Sequence, residues 1–110
     1  MTSKALLTLL IATAAIRLTP DKHYLYLTFS DLRNVARVSY VATYDTDKGQ
    51  KGFEGGYKLA NKTLKSTRRQ IMGTCSSGKC VFQNGIKNVQ LQATFVMRSG
   101  GITTSSQSLP

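Results

Sequence analysis

The chain has no tryptophan, only two cysteines and two prolines, and a single histidine, His23. Five acidic residues stand against fifteen lysines and arginines. Each shortage removes a class of chemistry. With one histidine and no recognisable nucleophile motif, a Ser-His-Asp or Cys-His relay is unsupported. A structural zinc site takes about four ligands, and His23 is far in sequence from Cys75 and Cys80. Asp31 and Glu54 stand alone, so the paired carboxylates of a glycosidase are missing. Gly52, Gly55 and Gly56 do not lie between a strand and a helix, so they form no phosphate-cradling loop. Asp45 and Asp47 lack the glutamate and further carboxylates of a calcium loop, and they read as turn residues accepting backbone N–H groups. The expectation is a non-enzymatic protein without metal or cofactor.

What is present in excess is positive charge, with a formal net of +10. Such a surplus attracts nucleic acid, anionic lipid or acidic cell-wall polymers, and it also keeps a protein soluble. Lys48, Lys51, Lys58, Lys62, Lys65, Arg68 and Arg69 are spread through the middle, and of these only Arg68 and Arg69 are adjacent. A dispersed charge points less sharply to nucleic acid than a stripe does. Tyr24, Tyr26, Tyr40, Tyr44 and Tyr57 leave two readings open: rings that stack bases on a basic sheet, or rings that complete the core.

The N-terminal segment reads as an export signal. Lys4 precedes the uncharged stretch ALLTLLIATAAI, and Ala12-Thr13-Ala14 is a small-x-small exit. Residues 1–14 are therefore assigned to a signal peptide or short anchor, an apolar helical leader before the folded domain. The stretch is short of the roughly 20 residues that span a bilayer. It holds no lipoprotein cysteine and lacks the glycine and glutamate of pilin-like leaders. Arg17 follows closely, and membrane attachment through an uncleaved segment stays open.

Beyond Pro20 the pattern has period two, the signature of half-buried strands. Leu25, Leu27 and Phe29 share one face, opposite Tyr24, Tyr26 and Thr28. Val38, Tyr40, Ala42 and Tyr44 repeat the pattern, as do Val89, Leu91, Ala93, Phe95 and Met97. Asp45 to Gly52 reads as a hairpin turn, and Phe53 to Leu59 as a short strand. Gly55-Gly56 within that strand signals a bulge or a close backbone approach. Thr63 to Thr74 alternates imperfectly and reads as one strand, with a helical start at Ser66 as the alternative. Asn84-Gly85 is the strongest two-residue turn signal in the chain. Residues 99–110 form a Ser/Thr-rich tail expected to fray. Asn61-Lys62-Thr63 fits a glycosylation sequon.

Cys75 and Cys80 flank Ser76-Ser77-Gly78-Lys79, small polar residues suited to a tight turn between strand formers. A hairpin disulfide is the expected pairing, and it implies an oxidising compartment. A redox pair prefers a shorter spacing at a helix start.

Together these features predict an all-β fold, a small antiparallel sandwich over residues 21–98. On strand number, the YVATYDT strand and the closing NVQLQATFV strand, Asp21 to Arg98 resembles the immunoglobulin and fibronectin type III class. The core tryptophan and inter-sheet disulfide of antibody domains are missing. The resemblance implies adhesion, binding or spacer roles. The expected function is a secreted or cell-surface binding or structural domain in the cell envelope or outside it. Its partner would be a protein or an anionic polymer, met through Lys48, Lys51 and Lys79 on loops. The alternative is a basic intracellular module that binds nucleic acid, with reduced cysteines and salt-sensitive affinity.

Overall fold

A computed structural model describes residues 11–110. They form nine strands and no helix: β1 (Thr13–Leu18), β2 (Tyr24–Ser30), β3 (Val35–Thr46), β4 (Gly49–Lys58), β5 (Lys65–Ile71), β6 (Gly73–Ser76), β7 (Lys79–Phe82), β8 (Lys87–Met97) and β9 (Ile102–Leu109). Every pairing is antiparallel. The first sheet runs β1-β2-β5, the second β4-β3-β8-β9, and β6-β7 form a separate two-stranded hairpin.

The alternating strands do what their period requires. Leu25, Leu27 and Phe29 of β2 turn inward and are fully buried. Val38, Ala42 and Tyr44 of β3 and Val89, Leu91, Ala93 and Phe95 of β8 face them from the second sheet. Phe29 meets Phe95 edge-on, with ring centroids 6.1 Å apart, and Tyr40 at 5.7 Å. Burying each large side chain contributes about 2 kcal/mol. Tyr40, Phe53 and Tyr57 pack around the margin of this core.

Side chains close both seams between the sheets. On one side the Ala14 N–H donates to Ser105 Oγ at 3.1 Å. On the other, Tyr57 and Ser66 share a hydroxyl hydrogen bond of 2.8 Å, and the Arg68 guanidinium lies 4.0 Å from the Tyr57 ring centroid. The Gly55-Gly56 signal resolves as close approach, because β3 and β4 keep continuous register. A Cβ on Gly55 would sit 2.5 Å from the Tyr40 hydroxyl.

Several boundaries differ from the sequence reading. The folded domain includes β1, so it begins before Asp21. Ala12 and Ala14, at the end of the expected leader, are 2% and 3% exposed. Small residues on both faces of β1 hide the alternation that its register with β2 imposes. The helix expected for the leader is absent from Thr13 onward, and residues 1–10 lie outside the described residues. The C-terminal segment is strand β9 rather than a fraying tail, because β8 offers it a full ladder from Val89↔Leu109 to Val96↔Ile102. Serine and threonine supply backbone pairing as well as apolar residues do. The turn expected over Asp45 to Gly52 shrinks to Asp47-Lys48. The imperfect Thr63 to Thr74 run divides around buried Met72 into β5 and β6. Asn84-Gly85 makes no hairpin, since β7 pairs with β6 and β8 with β3 and β9.

Candidate functional site

The cysteines lie on a finger. Cys75 and Cys80 are direct cross-strand partners in the β6–β7 ladder and are joined by a disulfide. Ser77 and Gly78 at the tip both have positive φ, 51° and 80°, as a two-residue type I′ turn requires. Every residue from Thr74 to Val81 is exposed, with Val81 at 70%. An isolated two-stranded hairpin is marginal in water, so the crosslink holds what burial does not. Closing so short a loop is worth about 2 kcal/mol.

The base of the finger is anchored firmly. The Met72 N–H donates to the His23 carbonyl at 2.8 Å, and the Gln83 N–H donates to the Met72 carbonyl at 2.9 Å. The His23 ring stacks on Phe82 with centroids 3.6 Å apart. The buried Tyr44 hydroxyl donates to Gln83 Oε1 at 2.6 Å. Burial pushes the Tyr44 pKa up, against the opposite pull of that hydrogen bond. The Asn84-Gly85 bend brings the Asn84 carbonyl onto the Asp47 N–H at 2.9 Å.

That bend joins two parts that sequence reasoning treated separately. Lys48 and Lys51 line a cavity of about 170 Å³ shared with Val81, Phe82, Gln83 and Asn84. Lys79 does not join them; it sits beside the tip, paired with Ser76. Asp45 lies in β3 rather than in a turn, and accepts a hydrogen bond from Asn88 Nδ2 of β8 at 2.8 Å. Among the described residues no group of three metal-binding side chains exists.

A second surface gathers Tyr24 and Tyr26, weighed above as base-stacking rings, with arginines that the sequence reading did not connect to them. The outer face of β1-β2-β5 sets Arg17, Tyr26 and Arg69 in one row. The next row holds Ala15, Thr28 and Thr67, and the third Thr13, Ser30 and Lys65. The Arg17 guanidinium lies 4.6 Å from the Tyr26 centroid, and Arg69 lies 4.6 Å from that of Tyr24. Phe82 meets the Tyr24 ring edge-on at 6.0 Å. A shallow groove of about 600 Å³ runs along this face past Arg17, Tyr26, Thr28, Lys65 and Thr67. The tyrosines thus divide: Tyr24 and Tyr26 are outside, while Tyr40, Tyr44 and Tyr57 serve the core. The signal was in the sequence, because Tyr24 and Tyr26 alternate with the buried residues of β2. Their arginine partners come from β1 and β5 and needed the register.

The outer face of the second sheet differs. Its central rows carry Ser39, Thr43, Gln90, Gln92, Thr94 and Ser106, with Val41 exposed and Glu54 the one charge. A groove of about 440 Å³ crosses it between Glu54, Ser39 and Gln92. Comparison with known protein families, curated proteins and solved structures finds no match for this chain.

Proposed function

We propose that this chain is an exported, non-enzymatic binding domain of the immunoglobulin/fibronectin type III class, presenting the disulfide finger to a partner outside the cytoplasm. The finger carries the reading. Its residues from Thr74 to Val81 are exposed, and yet Cys75 and Cys80 fix it covalently. Disulfides persist in oxidising compartments, and a segment that stabilises no core but is locked in shape is suited to recognition. Strand order supports the class. With β1, β2 and β5 as strands A, B and E, the opposing sheet reads C′-C-F-G, the order of immunoglobulin-type sandwiches. The finger is then an insertion between E and F.

Export is compatible with the packing if β1 remains whole. A cut after Ala14 would remove the buried Ala12 and Ala14 from the fold, so processing N-terminal to Ala12, or retention of the segment as an anchor, accompanies this reading. The test is the intact mass of protein recovered from an exporting host, with and without reductant. A mass lower by two hydrogens in the absence of reductant, in protein outside the cytoplasm, is the expected result. Two free thiols in protein retained in the cytoplasm would sink the export reading.

A second reading, an intracellular nucleic-acid-binding module, draws on the arginine- and tyrosine-bearing face of the first sheet. Free thiols in the native cell, with tight binding of single-stranded nucleic acid, would put it first.

A further inference from the structure

We infer that the outer face of β1-β2-β5 is a second binding site, distinct from the finger, for an acidic polysaccharide bearing carboxylates. The inference deepens the export reading, which sets the compartment in which such a polymer is met.

Three observations point to this ligand. The first is charge: Arg17, Arg69 and Lys65 all project from the outer rows, and among the described residues no strand position of the face is acidic. The nearest carboxylates in sequence, Asp21 and Asp31, sit in the turns at its ends. Carboxylates pair with guanidinium in a planar, two-bond geometry.

The second is preorganisation. Arg17 and Arg69 rest on Tyr26 and Tyr24, each 4.6 Å from a ring centroid. Stacking limits the rotamer freedom that an arginine would otherwise lose on binding.

The third distinguishes a sugar chain from a nucleic acid. Base stacking needs open aromatic faces. Here each outer tyrosine already carries a guanidinium on its ring, and Tyr24 is further packed by Phe82. Alongside lie the hydroxyls of Thr28 and Thr67, 3.4 Å apart, and that of Ser30. Hydroxyls that donate and accept match the hydroxyls of sugar rings, and the groove of about 600 Å³ gives those rings a bed.

The experiment uses the oxidised full chain and three probes: an oligogalacturonate, its methyl-esterified neutral form, and single-stranded oligothymidylate of matched charge. Binding is read by calorimetry and by backbone amide shifts. The expected result is binding of the oligogalacturonate, with shifts confined to β1, β2 and β5. Binding falls with salt, is lost on esterification, and exceeds that of the oligothymidylate. R17Q and R69Q should each weaken it by about tenfold, the loss of one charge-assisted contact. R17K and R69K keep the charge but not the fork, and should fall in between. Q92A on the other sheet should leave affinity unchanged. Equal or tighter oligothymidylate binding, undiminished binding of the ester, or affinity indifferent to R17Q and R69Q would each overturn the proposal. Thermal unfolding of every variant separates lost binding from lost fold. Because purified protein is used, a cytoplasmic origin would defeat the export reading without deciding this result.

Discussion

The two outer faces of the sandwich make an instructive pair. On the first sheet Arg17, Tyr26 and Arg69 stand side by side, with guanidinium over phenol. On the second, Ser39, Thr94 and Thr104 form a row without charge, and the exposed Arg37 and Lys58 pair with each other at one end with no tyrosine beside them on that face. Inside, the difference vanishes: Leu25, Leu27 and Phe29 from one sheet meet Val38, Leu91 and Phe95 from the other. Burial constrains the inner positions alike, because any core must be apolar and close-packed. The outer positions are free of that demand, so a concentration of arginine and tyrosine on one face only is information about what the face meets. The finger extends the contrast. It has no inner face, and a covalent bond stands in for burial.

The strongest way to break the comparison is to show that the inner faces are unequal. Phe29→Ala and Phe95→Ala should each cost about 3–5 kcal/mol in urea denaturation. The double variant should cost less than their sum, since the rings touch at 6.1 Å. A much smaller loss for either would mean that one sheet contributes less to the core than its burial indicates.

Removing the crosslink tests the division between finger and sandwich. Cys75→Ser with Cys80→Ser should loosen the finger by about 2 kcal/mol, read as roughly thirtyfold faster hydrogen exchange at the amides of Ser76 and Val81, which belong to the hydrogen-bonded pairs flanking the crosslink. Exchange in β2, β3 and β8 should not change, because Thr74 to Val81 bury nothing. Faster exchange throughout would show that the finger is part of the core's cooperative unit.

The junction between the two is Tyr44. Tyr44→Phe removes the hydrogen bond to Gln83 and should cost about 1 kcal/mol by thermal or urea unfolding. It also changes the response to alkali. Burial raises the pKa values of Tyr40 and Tyr44 in the fold above the ordinary tyrosine value of about 10. The unfolded chain therefore loses these protons first. The stability they confer is complete below pH ~10 and declines as pH rises through the folded values. Tyr44→Phe should flatten that decline; an unchanged slope would mean that Tyr44 ionises as readily folded as unfolded.

The smallest effects sharpen the contrast between the outer faces. Arg17→Gln should cost about 0.5–1 kcal/mol through its lost contact with Tyr26. Gln92→Ala, exposed on the second sheet, should stay within about 0.5 kcal/mol. Equal values by thermal unfolding would show that the arginine lies on the ring without stabilising it.

Legibility from sequence followed the range of the interactions. The three long alternating strands were readable, because a period of two needs only neighbours along the chain. β1 and β9 were not. In β1, alanine on both faces erases the alternation. In β9, Ser/Thr composition resembles a loop until a partner ladder exists. Asn84-Gly85 was recognised as a turn, but its carbonyl serves the distant Asp47 rather than a hairpin. Lys48 and Lys51 were chosen for charge on a loop, and only folding placed them beside Phe82 and Gln83.

The chain by itself determined which residues of β2, β3 and β8 face inward and that Cys75 opposes Cys80, since both follow from local alternation around a short turn. Tertiary structure alone decided that β1 and β9 complete the two sheets, and that Arg17 and Arg69 reach the tyrosines of β2. Those pairings join residues far apart in sequence, and their register comes from ladders and a core that exist only when the sandwich is assembled.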